Sequence, residues 1–303
     1  MNDTKPNLFV AGFSKAGTTT LVDYLKQHPD IFVPWIKEPH GLAVHDRLPS
    51  WLNTRYNMGK LYMKSYLLLY KDAAKYRYRI DGSTSYTFDP IIAHKIKEFN
   101  THAKIFMCIR NQKERLVSAY LYTYLTHMIK DFSIWIDRYF IPEMNSFLMY
   151  DKICEYYKVF GDNMIVIENN LLKNKPQEVL NSIFKFLDLE TINIQVIYRN
   201  PSMVTPNDSA LYRYSMFVTY YIIMKIRNGG KNLLLEKLSR KVIDSVRYRF
   251  VKNIIEKKAK SSHKELINMI PTNIANILED DYLKTLEFIE NKGISINKID
   301  KMT

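Results

Sequence analysis

The chain has 303 residues, 47% of them hydrophobic and 13% aromatic, which excludes a disordered polymer and allows one large α/β domain or two small ones. Lys plus Arg exceed Asp plus Glu by 44 − 31 = 13, a basic balance suited to nucleic acid, anionic glycans or lipid headgroups without choosing among them. The opening segment MNDTKPNLFV lacks a basic stretch followed by a long apolar run, so the expectation is a soluble, cytoplasmic protein with neither secretory signal nor membrane anchor.

In chain order, strand-like runs fall at Leu8 to Ala11, Ile31 to Val33, Arg79 to Asp81, Lys104 to Ile109 and Met164 to Ile167. Helical spacing is expected near Thr18 to Gln27, Pro90 to Phe99, Lys113 to Met128, Ser146 to Phe160 and Pro176 to Leu187, with Pro90 and Pro176 suited to first turns. That alternation predicts an α/β fold: a P-loop-like central parallel sheet flanked by helices. Residues 41–78, rich in Tyr, Lys and Arg, read as a helical insertion over one end of the sheet, of the kind that shapes clefts, in a core spanning 1–200. Residues 201–303 read as a mainly helical, basic C-terminal region packed on that core, with a helix near Asn273 to Glu290. Within it, Met216 to Met224 is too short to span a bilayer. The cationic stretch that follows admits peripheral contact with an anionic membrane, although a packed helical subdomain is the plainer reading. Lys237 to Lys260 carries no recognised reader motif, and no nucleic-acid partner is expected. Cys108 and Cys154 lack CxxC spacing and are expected as buried free thiols.

The first strand leads into GFSKAGTTTL, and Leu21, Tyr24 and Leu25 recur at helical spacing after it. A loop joining a strand to a helix N-terminus offers backbone N–H groups and the positive end of the helix dipole to a phosphate or sulfate oxygen. Thr18, Thr19 and Thr20 add hydroxyl donors. Against the triphosphate pattern G-x-x-x-x-G-K-[ST], Gly12 and Gly17 keep the glycine spacing, Thr18 replaces the lysine, and the cation has moved to Lys15. A triphosphate needs Mg²⁺, whereas a single phosphate bearing a sulfuryl group could be served by one lysine without metal. Alone, the loop is equally compatible with an ordinary strand-helix turn. A second anion element follows the fourth strand, where RNQKERLVSAY places Arg110 at the strand's end and Ser118 on the next helix. Arg115 either orients that helix or joins an ion pair, and Tyr120, Tyr122 and Tyr124 either line a cleft or fill the core.

The two ordered motifs, SKAGTTTL and RxxxxRxxSxY, resemble those of the sulfotransferases that use 3′-phosphoadenosine 5′-phosphosulfate. HPDIFVPWIKEPH and FGDNMIVIENNLLKNKPQEVLNSIFKFLDL are similar to later segments of the bacterial and heparan sulfate branch, so the resemblance covers about residues 7 to 190. It implies that Lys15, Ala16, Gly17, Thr18, Thr19 and Thr20 hold the 5′-phosphosulfate and that Arg110 and Ser118 hold the 3′-phosphate. Arg199, with Asn200, falls where the family places a late loop over the nucleotide. It also implies in-line transfer to an acceptor hydroxyl, with Lys15 stabilising the leaving oxygen and Glu38 of KEPH as general base, His40 being the competitor. The acceptor expected is a glycan or glycoconjugate, with an anionic one suiting the basic chain, and no metal is called for. Two departures stand out: Gln112 replaces a common proline, and DGSTSY (81–86) has Gly82 where the family element E-K-[ST]-P-x-Y has lysine. A P-loop kinase or nucleoside triphosphatase, and a non-catalytic nucleotide- or polyanion-binding protein, remain the competing readings.

Overall fold

The computed structural model describes residues 4–36, 38–43, 63–127, 131–196 and 259–296. Five strands, β1 (Leu8–Val10), β2 (Ile31–Phe32), β3 (Tyr78–Asp81), β4 (Lys104–Ile109) and β5 (Met164–Glu168), form one parallel sheet in the order β2-β3-β1-β4-β5. Leu8 pairs with Ile80 on one side and Lys104 on the other. Both faces of such a sheet are covered, so its strands read as unbroken apolar runs, and LFV and most of KIFMCI are buried.

The helices follow from apolar spacing. Helix α1 (Thr18–Leu25) buries Leu21, Val22, Tyr24 and Leu25, and α2 (Met63–Leu68) belongs to the insertion. Helix α3 (Ile91–Phe99) buries Ile92, Ala93 and Ile96. Helix α4 (Gln112–His127) leads into α5 (Phe132–Trp135), which runs through irregular turns to α6 (Met144–Phe147). Helices α7 (Tyr150–Phe160), α8 (Asn169–Asn174) and α9 (Pro176–Phe186) follow, α9 carrying its proline in the first turn as its sequence suggests.

The described C-terminal part is a helical hairpin, α10 (Ala259–Asn268) and α11 (Thr272–Lys292), docked on α4. Leu266, Ile270, Ile274 and Leu278 join Leu116, Val117, Tyr120, Leu121, Phe132 and Trp135 in a second apolar cluster beside the sheet core. Beyond α11 the chain turns onto the outer side of β5: the Val166 amide donates to the Ile294 carbonyl at 2.9 Å, and Ser295 bridges the same residue. This covers an edge that would otherwise expose unpaired amides. No helix among the described residues is long and apolar enough to cross a membrane.

Two expectations need correction. The helix expected from Ser146 to Phe160 is two helices broken at Leu148, whose backbone is extended (φ −60°, ψ 152°). Side chains distant in sequence or in the next helix hold the break open. Lys152 Nζ donates to the Asn145, Ser146 and Leu148 carbonyls, and Asp281 accepts from the Met149 and Tyr150 amides. Cys154 is only partly buried because its helix presents that position near the surface, while Cys108 lies inside the sheet. Residues 132–143 form helical turns that periodicity does not reveal. The segments Met216 to Met224 and 237–258 lie outside the described residues.

Candidate active site

The loop after β1 is shaped by two glycines with different tasks. A Cβ on Gly12 would lie 2.2 Å from the Cys108 backbone nitrogen, so glycine lets the loop cross the end of β4. Gly17 caps α1 in the left-handed region (φ 96°), and a Cβ there would lie 2.4 Å from Asn169 Nδ2. That same amide, at the start of α8, donates to the Ala16 carbonyl at 3.2 Å and pins the loop to the end of β5. Lys15 also has positive φ (64°), a conformation uncommon for a side-chain-bearing residue. The amides of Thr18, Thr19 and Thr20 then sit in the first turn of α1, where no carbonyl of the same helix can accept them. Lys15 Nζ rests over the Tyr122 ring, 4.2 Å from its centroid.

Arg110 leaves the end of β4 and reaches this loop: its Nη1 donates to the Lys15 carbonyl at 3.4 Å. The two anion elements of the sequence are thus joined by a direct contact. Its Nε donates to Glu114 Oε2 at 3.1 Å, a partner one helical turn on. Ser118, another turn along the same stripe of α4, is buried. Arg115 lies on a different face, fully buried, with its guanidinium 3.5 Å from the Phe147 ring centroid and 5.2 Å from that of Phe13. It donates to the Phe147 carbonyl (2.5 Å) and to Gln112 Oε1 (3.2 Å), and burial lowers its pKa to about 9. Gln112, in the place of the family's proline, also donates to Asp281 and so ties α4 to α11.

Across the carboxyl edge, after β2, Glu38 and His40 both have positive φ (60° and 55°). The His40 ring is buried, its Nδ1 2.6 Å from Ser85 Oγ and its Nε2 3.7 Å from Glu38 Oε2. The His40 amide donates to Ser83 Oγ at 3.0 Å, and Ser83 in turn donates to Asp81 Oδ1 at 2.5 Å. Asp81 is wholly buried at the end of β3 and accepts two further hydroxyls, from Tyr66 (2.7 Å) and Tyr86 (2.6 Å), both at Oδ2. Burial pushes its pKa up to about 6 against the lowering effect of the three hydroxyls, with the Glu38 charge adding to the rise. Tyr86 also accepts from the Leu42 amide at 3.2 Å. DGSTSY therefore builds the floor beneath Glu38 and His40. The site as a whole lies outside the carboxyl ends of a parallel sheet, beside the strand where its order reverses, the common ligand position in open α/β sheets.

Of the residues read from sequence, the structure joins Lys15 through Thr20 with Arg110 and sets Ser118 along the same helix stripe. It groups Glu38 with His40 after β2, which β3 separates from β1. Arg199 lies outside the described residues. Tyr120 is core, whereas Tyr122 faces Lys15; His28 is a buried turn residue whose Nδ1 accepts from the Asp30 amide at 3.1 Å. Sequence reasoning missed Glu114, although an acid four residues after Arg110 is an ordinary helical ion-pair signal. It also missed Asn169 and Tyr66, which carry no local signature. Among the described residues no group of three or more His, Cys, Asp or Glu could hold a metal ion.

The fold is α/β, a five-stranded parallel sheet flanked by helices, with a candidate anion site at the end of β1. A family model described as sulfotransferase domain matches residues 5–205, and the chain belongs to that family. Among solved structures, the sulfotransferase from Alicyclobacillus acidocaldarius is similar at 23% identity and TM-score 0.55, over 75% of this chain and 95% of that one. The sulfotransferase domain from the curacin biosynthetic pathway matches at 17% identity and TM-score 0.44, over 67% of this chain and 78% of its own. Mouse sulfotransferase SULT7A1, complexed with PAP, matches at 13% identity and TM-score 0.41, over 92% and 89%. No curated protein matches the sequence.

Proposed function

We propose that the chain transfers the sulfuryl group of 3′-phosphoadenosine 5′-phosphosulfate to a hydroxyl of a carbohydrate or glycoconjugate. The observation that carries this reading is the contact of Arg110 with the Lys15 carbonyl: an arginine suited to a 3′-phosphate is anchored to a loop whose lysine is displaced from the triphosphate position. Family membership supports the class of chemistry.

On this reading the loop amides and the hydroxyls of Thr18 to Thr20 bind the 5′-phosphate, and Arg110 and Ser118 bind the 3′-phosphate. Lys15 leaves the Tyr122 ring to neutralise charge on the bridging oxygen as the S–O bond breaks. Glu38 accepts the proton of the acceptor hydroxyl. His40, held by Ser85 and by Ser83 at its backbone, keeps that carboxylate oriented. The positive net charge of 13 suits an acceptor that is already anionic.

Transfer of labelled sulfate from the donor to a panel of glycans, with a metal chelator present, tests the proposal. The expected result is transfer to at least one glycan without added metal, reduced about 10²- to 10⁴-fold in Glu38→Gln. Donor binding without transfer to any hydroxyl would favour a binding protein, and Mg²⁺-dependent hydrolysis of ATP would favour a triphosphatase.

A further inference from the structure

Residues Thr84–Thr87 form a 3₁₀ turn after β3, and Ser83 to Thr87 are all buried although every one of them carries a hydroxyl. A buried hydroxyl costs stability unless it is hydrogen-bonded, so the partners explain the run. Ser83 and Tyr86 donate to Asp81, and Thr87 donates to the Thr84 carbonyl at 3.0 Å. Ser85 instead faces His40, its Oγ 2.6 Å from Nδ1. Ser83 reaches the same residue by accepting its amide at 3.0 Å, its own proton being turned to Asp81. The two serines therefore hold His40 at two places, ring and backbone. That backbone lies in the left-handed region (φ 55°), which a fixed amide partner helps to maintain.

The hydroxyl and a neutral imidazole can share a hydrogen bond in two ways. If Nδ1–H donates to Ser85 Oγ, the Nε2 lone pair is left facing Glu38 Oε2 at 3.7 Å, and the carboxylate repels it. If the Ser85 O–H donates to Nδ1, the ring proton sits on Nε2 and points its positive end toward that carboxylate. The separation is long for a hydrogen bond, yet an N–H dipole on a buried ring at that range still favours the ionised acid. The second arrangement satisfies Nδ1 only because residue 85 carries a hydroxyl.

We propose that Ser85 is a positioning residue for the sulfuryl transfer: its hydroxyl donates to His40 Nδ1, holds the Nε2–H tautomer, and so keeps Glu38 ionised and aimed at the acceptor proton. This rests on the reading of Glu38 as general base given above. Ser85 stands at the unspecified position of the element E-K-[ST]-P-x-Y, so the motif that marks this turn does not call for it.

Spectra of the protein labelled with ¹⁵N-histidine read the tautomer without donor or acceptor, and labelled-sulfate transfer reads its consequence. The His40 signal is the one, of seven, that is lost in His40→Asn. At about pH 8 the expected ring is Nε2–H in the wild type and in Ser85→Thr, which keeps the hydroxyl, and Nδ1–H or mixed in Ser85→Ala. Ser85→Ala should lower kcat about tenfold and move the acidic limb of its pH profile upward, with the KM for the donor unchanged. Ser85→Thr should restore both. The wild-type spectrum decides the tautomer even where a variant fails to fold. An Nδ1–H ring or an imidazolium in the wild type overturns the role of Ser85 and leaves Glu38 as base standing. A Ser85→Ala enzyme with wild-type kcat, or with kcat and donor affinity reduced alike, does the same. A wild type that shows the Nε2–H ring but transfers sulfate to no glycan overturns the reading of the site itself, and the role of Ser85 in transfer with it.

Discussion

Lys15, Glu38 and His40 are three of the four side-chain-bearing residues with positive φ among those described, and all three belong to the candidate site. Such conformations persist where surrounding contacts hold them: Arg110 at the Lys15 carbonyl, Ser83 at the His40 amide. Lys15→Ala is expected to lower turnover about 10²- to 10³-fold with adenosine 3′,5′-bisphosphate affinity reduced far less, read from single-turnover rates beside titrations. An equal loss in both would make Lys15 a binding residue only. Asp81 gives a pH signature. Because burial lifts its pKa to about 6, its contribution to stability is fully present below the unfolded value near pH 4 and is lost as pH rises through about 6. Relative to Asp81→Asn, the wild type should therefore lose on the order of 2–3 kcal/mol between pH 4 and pH 7, measured by denaturant unfolding. A pH-independent difference would contradict the assignment. The candidate site residues were legible because they sit in short motifs. The buried support was not: Asp81 is held by Tyr66, from an insertion whose periodicity is weak, and nothing local to either residue announces the pair.

The strands were legible at the scale of elements because a sheet covered on both faces leaves apolar runs, and Lys104 to Ile109 has the bounds the sequence suggests. The break between α6 and α7 was not legible, since its caps come from Asp281, more than 130 residues away, and from Lys152, whose outward-looking position in a helical pattern gives no hint of burial. Asp281 accepts two amides of the break and the Gln112 side chain, and its charge opposes the burial of Arg115 and Lys152. Burial of Lys152, followed by the Arg115 charge, brings its pKa down to about 7. Removing the one acid of this group leaves two buried bases and two amides without it. Asp281→Ala should then cost about 3–5 kcal/mol of unfolding free energy, whereas breaking the exposed pair of Lys284 with Asp280, 2.7 Å apart, should change stability far less. Chemical denaturation of both variants checks the contrast, and similar losses would contradict it.

For the whole molecule, the order β2-β3-β1-β4-β5 gathers five strand ends at one edge, and each brings a piece of the site. Glu38 and His40 follow β2, Asp81 ends β3, Lys15 follows β1, Arg110 follows β4 and Asn169 follows β5. The sequence motifs identify the pieces, while the parallel topology makes them neighbours and the C-terminal hairpin closes one side of α4. On the proposed reading this edge holds a nucleotide bearing a 3′-phosphate and needs no metal to do so. Calorimetry in a metal chelator, with adenosine 3′,5′-bisphosphate against adenosine 5′-phosphate on the wild type and on Arg110→Ala, tests it most directly. The expected result is tighter binding of the bisphosphate by the wild type and about a tenfold or greater loss of that preference in the variant. Equal affinity of the wild type for the two nucleotides would contradict it.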